Sequence, residues 1–410
     1  MLDRFKSINP VSKSIIFGTL FTRAATFMTM PFLAIYLSKV HGISPAMIGL
    51  ILGVSAFTRI PGSFIGGNLS DQYGREKVML ISIFVWALVF LGFAFANHVF
   101  MFFILNALNG LCSSFFEPSS RALLSDITKQ KNKLLVFNLR YAAINVGAAV
   151  GPLVGFLIGS SKSTITFVIT AIVYMLYGLS LLYILPKYRE VNKKVDMEKK
   201  ERVTMIQALS VLRQDLVFLV AVVAFIFGVI GYSQFGSTMP QFFENASYFE
   251  NGVALYTSLI ILNAITVLIV QYPVTRIGKR FSPVTSIMLG TITTSIGLFG
   301  IGLFESIYLI GLSMIIFTIG EVMMFTMYDL FVDQIADPDM KGTYFGAMGF
   351  TSLGGSVGPL IGGFLLSAFG YGAPETVFGL LAFISAIGFP LFVYVNFLMK
   401  KTKRNLDYSL

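Results

Sequence analysis

Apolar runs long enough to cross a bilayer recur along the whole chain, separated by short polar breaks. A helix needs roughly 20 mostly apolar residues to span the hydrocarbon core. Twelve stretches reach that length: Ser14–Ser38, Met47–Leu69, Val78–Ala96, Val99–Leu124, Leu134–Ile158, Thr164–Leu185, Leu216–Phe243, Val253–Val274, Val284–Phe304, Ile307–Ile335, Thr343–Phe369 and Val377–Leu398. One break is longer than the rest. Pro186 to Asp215 is rich in Lys and Glu and separates six spans from six. The pattern predicts an all-α membrane protein with an N-terminal six-helix bundle over 1–185, a linker over 186–215 and a C-terminal six-helix bundle over 216–410. Within the linker, a short amphipathic helix is expected near Met205–Leu212.

Composition agrees. Hydrophobic residues make up 55% of the 410, and charged residues 12%, about half the share of an ordinary soluble domain. The net charge of +10 would suit a nucleic-acid partner if it were clustered, but topology accounts for it. Basic residues alternate between the two ends of the spans: twenty-four, from Arg4, Lys6 and Lys13 to Lys400, Lys401, Lys403 and Arg404, fall on one side, against Lys39 and Lys162 on the other. The positive-inside rule then places both termini in the cytoplasm of a multi-pass plasma-membrane protein, and an even number of spans agrees by putting both on one side. The first apolar run lacks a small-residue cleavage site and reads as an uncleaved span.

Several chemistries drop out. The lone cysteine, Cys112, excludes an intramolecular disulfide, and His41 and His98 are too far apart for a zinc motif. No Gly-rich loop ending in Lys-Ser or Lys-Thr is present, which argues against direct ATP drive. No cofactor is expected, and an intramembrane enzyme would need a metal motif or a catalytic pair that the spans lack. The two halves repeat instead. Val150-Gly151-Pro152-Leu153 returns as Val357-Gly358-Pro359-Leu360, and Asp126 and Asp333 close the fourth and tenth spans at the same offset of 207. Such duplication is typical of secondary transporters, which rock one half against the other around a midplane site.

After the second span the chain reads Gly67-Asn68-Leu69-Ser70-Asp71-Gln72-Tyr73-Gly74-Arg75-Glu76-Lys77. This resembles the signature loop of the major facilitator superfamily. The resemblance implies a fold of two pseudo-symmetric six-helix bundles, in which Asp71 and Arg75 form a charge-assisted clamp on the cytoplasmic gate and Gly67 and Gly74 permit the tight turn. The second-half copy, Val274 to Arg280, has lost the acidic residue. The fifth span, with Gly147, Gly151, Pro152 and Gly155, resembles the superfamily's antiporter motif, although Phe156 stands where the last glycine is expected. The eleventh span carries a fuller copy in Gly354, Gly358, Pro359, Gly362 and Gly363. Gly320-Glu321 opening the second half of the tenth span, and Leu139-Arg140-Tyr141 with Asn145-Val146-Gly147 in the fifth, are similar to twelve-span drug:proton antiporters. Arg140 reverses the charge some of those relatives carry, and Asn106 stands where many have an arginine.

Ionisable residues inside a membrane are functional candidates by default. Counting from the polar ends at about 1.5 Å per residue puts Arg23, Arg59, Glu117 and Glu321 roughly 14–18 Å deep, with Arg121, Arg140 and Asp329 nearer the cytoplasmic end. Glu117 and Arg121 are four apart and can pair on one helix face; Arg23 and Arg140 are competing partners. Glu321 has no basic residue in its own span, so it is the leading proton-coupling candidate, followed by Glu117 and Asp329. Arg23, Arg59, Arg140, Tyr141, Asn145, Tyr232, Gln234, Asn263 and Tyr328 are expected to line a substrate cavity, and Gly67, Asp71, Gly74, Arg75, Gly151, Pro152, Gly358 and Pro359 to serve gating. The expected function is proton-coupled export of small amphipathic compounds by a monomer. The alternative is transport of an anionic or zwitterionic metabolite held by the cavity arginines.

Overall fold

The computed structural model describes residues 8–128, 130–159, 161–192, 205–278, 282–336 and 340–401. Within them the chain is helical, and twelve helical segments are long and apolar enough to cross a membrane. The first six spans are α1 (Pro10–His41), α2 (Pro45–Tyr73), α3 (Arg75–Phe95), α4 (Val99–Ile127), α5 (Gln130–Ile158) and α6 (Ile165–Asn192). The linker contributes α7 (Met205–Gln214), two residues longer than the amphipathic segment expected there. The seventh span is α8 (Leu216–Ser233) and α9 (Thr238–Asn245), joined by a 3-10 turn over Gln234–Gly236. Then come α10 (Gly252–Gly278), α11 (Pro283–Leu303) and α12 (Ile307–Ile335). The eleventh span is α13 (Lys341–Ala347), a 3-10 turn and α14 (Ser352–Phe369); the twelfth is α15 (Pro374–Ala386) and α16 (Gly388–Lys401).

The helix ends are set by local chemistry. Asn9 caps α1, its side chain accepting from Val11 N, with Pro10 in the first turn where a missing N–H costs nothing. Ser282 and Asp215 cap α11 and α8 in the same way. Gly42 ends α1 in the left-handed region at φ 61°. Gly74 sits at φ 92° between α2 and α3, a conformation that disfavours any side chain, so this glycine of the signature loop is required by its turn.

The helices form two compact units: 1–42 with 58–202, and 43–57 with 203–410. The expected N-terminal bundle of 1–185 contained residues 43–57, whereas they cluster with the second unit. The reason is local: a Cβ on Gly49, Gly53 or Gly363 would run into the backbone of Pro359, Ser356 or Pro45 respectively, so glycine lets α2 and α14 touch main chain to main chain.

The internal repeat is visible in the packing of each unit. In the first, α1 lies along α5, and α3 packs on α4 and α6; in the second, α8 lies along α14, and α11 packs on α12 and α15. The repeated glycines occupy these seams. A Cβ on Gly151 would stand 2.5 Å from the Ala24 carbonyl oxygen and 2.8 Å from Phe27 Cβ, and one on Gly358 3.0 Å from the Ile230 carbonyl oxygen. The prolines beside them, Pro152 and Pro359, lie inside α5 and α14.

Candidate substrate and coupling sites

The first unit holds a charged cluster drawn from three helices. Glu117 on α4 accepts from Arg23 on α1 through one carboxylate oxygen, and from Arg140 Nη2 on α5 at 2.6 Å through the other. Pro118, next in the chain, lies within α4. Arg121 does not take the i,i+4 partnership open to it. It is exposed and, among the described residues, makes no ion pair. Arg59, halfway along α2, is exposed and interacts electrostatically with Arg23, Glu117 and Tyr174; among the described residues its guanidinium makes no hydrogen bond.

Around the cluster runs a neutral polar network, of which the sequence had singled out only Asn106. Tyr174 and Thr26 share a 2.6 Å hydrogen bond, and Trp86 packs edge-on against Tyr174 at 4.9 Å. The Trp86 indole donates to Asn109 Oδ1 at 2.7 Å, while Asn109 donates to Asn106. The available signal was the polar pair Asn106 and Asn109 within an apolar run. Asn145 on α5 has a buried amide nitrogen without a partner among the described residues, and Tyr141 is exposed.

The second unit presents a different carboxyl. Glu321 on α12 accepts from Asn263 Nδ2 on α10 at 2.8 Å; the same amide nitrogen also reaches Thr318 Oγ1 at 2.9 Å. Tyr232 on α8 lies close enough to interact with Glu321 as well. Among the described residues no cationic side chain pairs with it. Aromatic rings pack on Tyr232: it lies nearly parallel to Phe317 at 6.3 Å and edge-on to Phe325 at 4.9 Å. Asn263 and Tyr232 thus meet at Glu321.

Two expected cavity residues belong to the packing instead. Gln234 is fully buried. Its amide donates to the carbonyls of Ile230 and Gly358 at 2.8 and 3.0 Å and its oxygen accepts from Thr238, so it closes the break between α8 and α9 and ties the seventh span to α14. Tyr328 is 4% exposed and stacks on Phe225 at 3.7 Å. The side chain of Asp329 lies outside the described residues.

At the signature loop, the side chain of Asp71 also lies outside the described residues. Arg75 is paired with Asp126 at the end of α4, at 2.5 Å, so it bridges α3 and α4. Gly67 has open space where a side chain would go. In the second unit, Asp215 joins α8 to α13: it caps Phe218 N and accepts from the Tyr344 hydroxyl at 2.6 Å.

Twelve apolar helices with an internal repeat and ionisable groups inside the spans are the architecture of a membrane transporter. The family model of the Major Facilitator Superfamily matches residues 15–352, and the chain belongs to that superfamily. It is 45% identical over 404 residues, 98% of each chain, to the uncharacterized MFS-type transporter YqjV of Bacillus subtilis (strain 168). It is 24% identical to a Na(+), Li(+), K(+)/H(+) antiporter of Planococcus maritimus, covering 98% of this chain and 100% of that one. It is also 24% identical to the class H tetracycline resistance protein of Pasteurella multocida, covering 78% and 79%. The crystal structure of the nucleoside transporter NupG superposes with a TM-score of 0.77 over 94% of this chain and 99% of that one; at 14% identity this bears on the fold alone. The protein is therefore a multi-pass membrane transporter of small molecules.

Proposed function

We propose that this transporter is a proton-coupled antiporter that exports small amphipathic compounds across the plasma membrane by alternating access. In this reading both termini are cytoplasmic, the protein acts as a monomer, and Glu321 is the group that exchanges the proton. The observation that carries the reading is the setting of Glu321, a carboxyl inside a span held only by neutral groups among the described residues. A tyrosine hydroxyl both donates and accepts. Tyr232 can therefore donate to the carboxylate and accept from the carboxylic acid, so it suits either charge state of the site. Glu117 is set differently: two guanidiniums, charged at every accessible pH, neutralise it in place. The aromatic rings of Tyr232, Phe317 and Phe325 offer apolar surface beside the acid, which suits an amphipathic cargo. The names of the antiporter and resistance relatives accord with this reading. Arg75 and Asp126, by joining α3 to α4 at the signature loop, serve the cytoplasmic gate.

The test is substrate-induced proton movement in proteoliposomes with a trapped pH dye, using a panel of amphipathic compounds. Proton flux opposite to compound movement, abolished in Glu321→Gln while the variant stays folded, is the expected result. Undiminished coupled flux in that variant removes Glu321 from the role.

A further inference from the structure

The first unit carries more positive charge than its structure neutralises. Within its six spans, as bounded by their apolar runs, the sequence holds four arginines, Arg23, Arg59, Arg121 and Arg140, and a single acidic residue, Glu117. All four guanidiniums interact electrostatically with Glu117. Only Arg23 and Arg140 bond to it. Charge inside a bilayer is costly unless paired, and here one carboxylate serves four cations.

The hydrogen-bond inventory points the same way. Arg140 is 8% exposed, yet among the described residues its Nε–H has no partner. The hydroxyl of Tyr177, 5% exposed, also has none, and it lies close enough to Glu117 and Arg140 to feel both charges. Buried polar groups are nearly always bonded, and exceptions call for an explanation. Arg140 Nε can only donate. Unmet donors amid excess positive charge call for an acceptor-rich anion.

We propose that the first unit contains an oxyanion site formed by Arg23, Arg59, Arg140 and Tyr177, in which Glu117 occupies the guanidiniums as an internal counter-ion when no ligand is bound. Its ligand is a carboxylate or phosphate-type group. Such a group presents several lone pairs to the planar forks of arginine, which bind it with directional, charge-assisted bonds. An arriving oxyanion competes with Glu117 for Arg23 and Arg140 and draws on the uncommitted Arg59. The site shares no residue with the Glu321 group and does not depend on the direction of transport or on proton coupling.

The chain's single tryptophan is a built-in reporter. Trp86 packs against Tyr174 and Phe116, the neighbours of this cluster. Titrate the purified full-length protein in detergent with hexanoate, hexanamide and inorganic phosphate, following heat by calorimetry and Trp86 emission. Hexanoate is expected to bind saturably and at least about tenfold more tightly than its neutral amide, the scale of one charge-assisted hydrogen bond. Tyr177→Phe removes a hydroxyl that has no partner in the unliganded protein and keeps the ring, so it leaves the fold intact while weakening hexanoate by about tenfold. Arg59→Gln weakens it comparably. Glu117→Gln removes the internal competitor and tightens binding, which a merely structural ion pair would not do. Phosphate bound more tightly than hexanoate assigns the site to a free inorganic anion; the reverse order assigns it to a group on an organic cargo. Three results overturn the proposal: equal binding of hexanoate and hexanamide, no saturable binding of either anion, or full affinity in both Tyr177→Phe and Arg59→Gln. Glu321→Gln separates the two readings, because loss of proton flux with hexanoate binding retained supports both, and loss of hexanoate binding there counts against a distinct site.

Discussion

Replacing Glu117 by Gln tests whether the arginine cluster holds the first unit together. The carboxylate ties α4 to α1 through Arg23 and to α5 through Arg140. Removing one partner of a buried ion pair costs about 3–5 kcal/mol, because the other charge stays buried and uncompensated. Two pairs are lost, but the cost is not doubled. Glu117 and Arg23 keep 24% and 30% of their side-chain exposure, so water screens part of that bond, whereas Arg140 at 9% has little such relief. The loss is set mainly by Arg140 and comes to about 3 kcal/mol. For a unit of this size, about 2–4 °C per kcal/mol translates that into a fall of roughly 6–12 °C in thermal midpoint. Trp86 emission, local to the first unit, follows its unfolding in detergent. Adding Arg140→Gln to the variant takes away the stranded charge and should recover part of the loss, while Arg121→Gln alone, at an exposed and unbonded residue, should shift the midpoint little. An unchanged midpoint in Glu117→Gln would refute the reasoning, since it would mean that the buried guanidiniums are solvated equally well without the carboxylate.

Other consequences are open to similar tests. Tyr232→Phe deletes the hydroxyl on Glu321 and keeps the ring against Phe317 and Phe325; stability should fall by only about 1 kcal/mol while coupled proton flux slows, and unchanged flux in the pH-dye assay counts against Tyr232. Gln234→Ala strips the bonds to Ile230, Gly358 and Thr238 and should lower the thermal midpoint by an amount equivalent to about 1–3 kcal/mol, leaving the KM of the surviving folded protein near the parent value. Gly151→Val forces a side chain into the Ala24 backbone and Phe27, so overpacking of about 1–3 kcal/mol should appear as reduced folded yield on size-exclusion chromatography. Tyr344→Phe removes the hydroxyl's hydrogen bond to Asp215; a loss of about 1.5–3 kcal/mol, the worth of a hydrogen bond to a charged group, is expected in the same thermal assay.

The spans were legible because lipid leaves a chain little choice. Backbone groups in hydrocarbon must bond within their own segment, so apolar run length alone predicted twelve helices, and twelve qualify in the structure. Partners were harder, because they are tertiary. Helical spacing favours Arg121 for Glu117, but the bonds come from Arg23 and Arg140, 94 and 23 residues away in sequence. The signature loop suggested Asp71 for Arg75; the side chain of Asp71 lies outside the described residues, and among those described Arg75 pairs with Asp126, at the end of the neighbouring helix, which the loop did not announce. Gln234 read as a cavity polar group because nothing in an apolar stretch announces a break. The chain passes into a 3-10 turn there, and the amide is taken up by carbonyls at that break.

The duplication sharpens the contrast between scaffold and chemistry. Gly147, Gly151 and Gly155 correspond at the offset of 207 to Gly354, Gly358 and Gly362, and both sets sit where α1 meets α5 or the seventh span meets α14. The acids within the spans, Glu117 and Glu321, do not correspond. The same offset takes Glu117 to Met324, which is fully buried against Gly228, and Glu321 back to Ser114, which packs against Gly62. Close helix contact is a demand both halves share, and both meet it with glycine at equivalent positions. The charged groups answer to no such shared demand. One half gathers guanidiniums around a single carboxylate, and the other keeps a carboxyl among neutral donors and rings. Internal symmetry therefore locates the seams along which each unit packs, while the groups assigned to cargo and proton have to be found one at a time, from the bonds each makes.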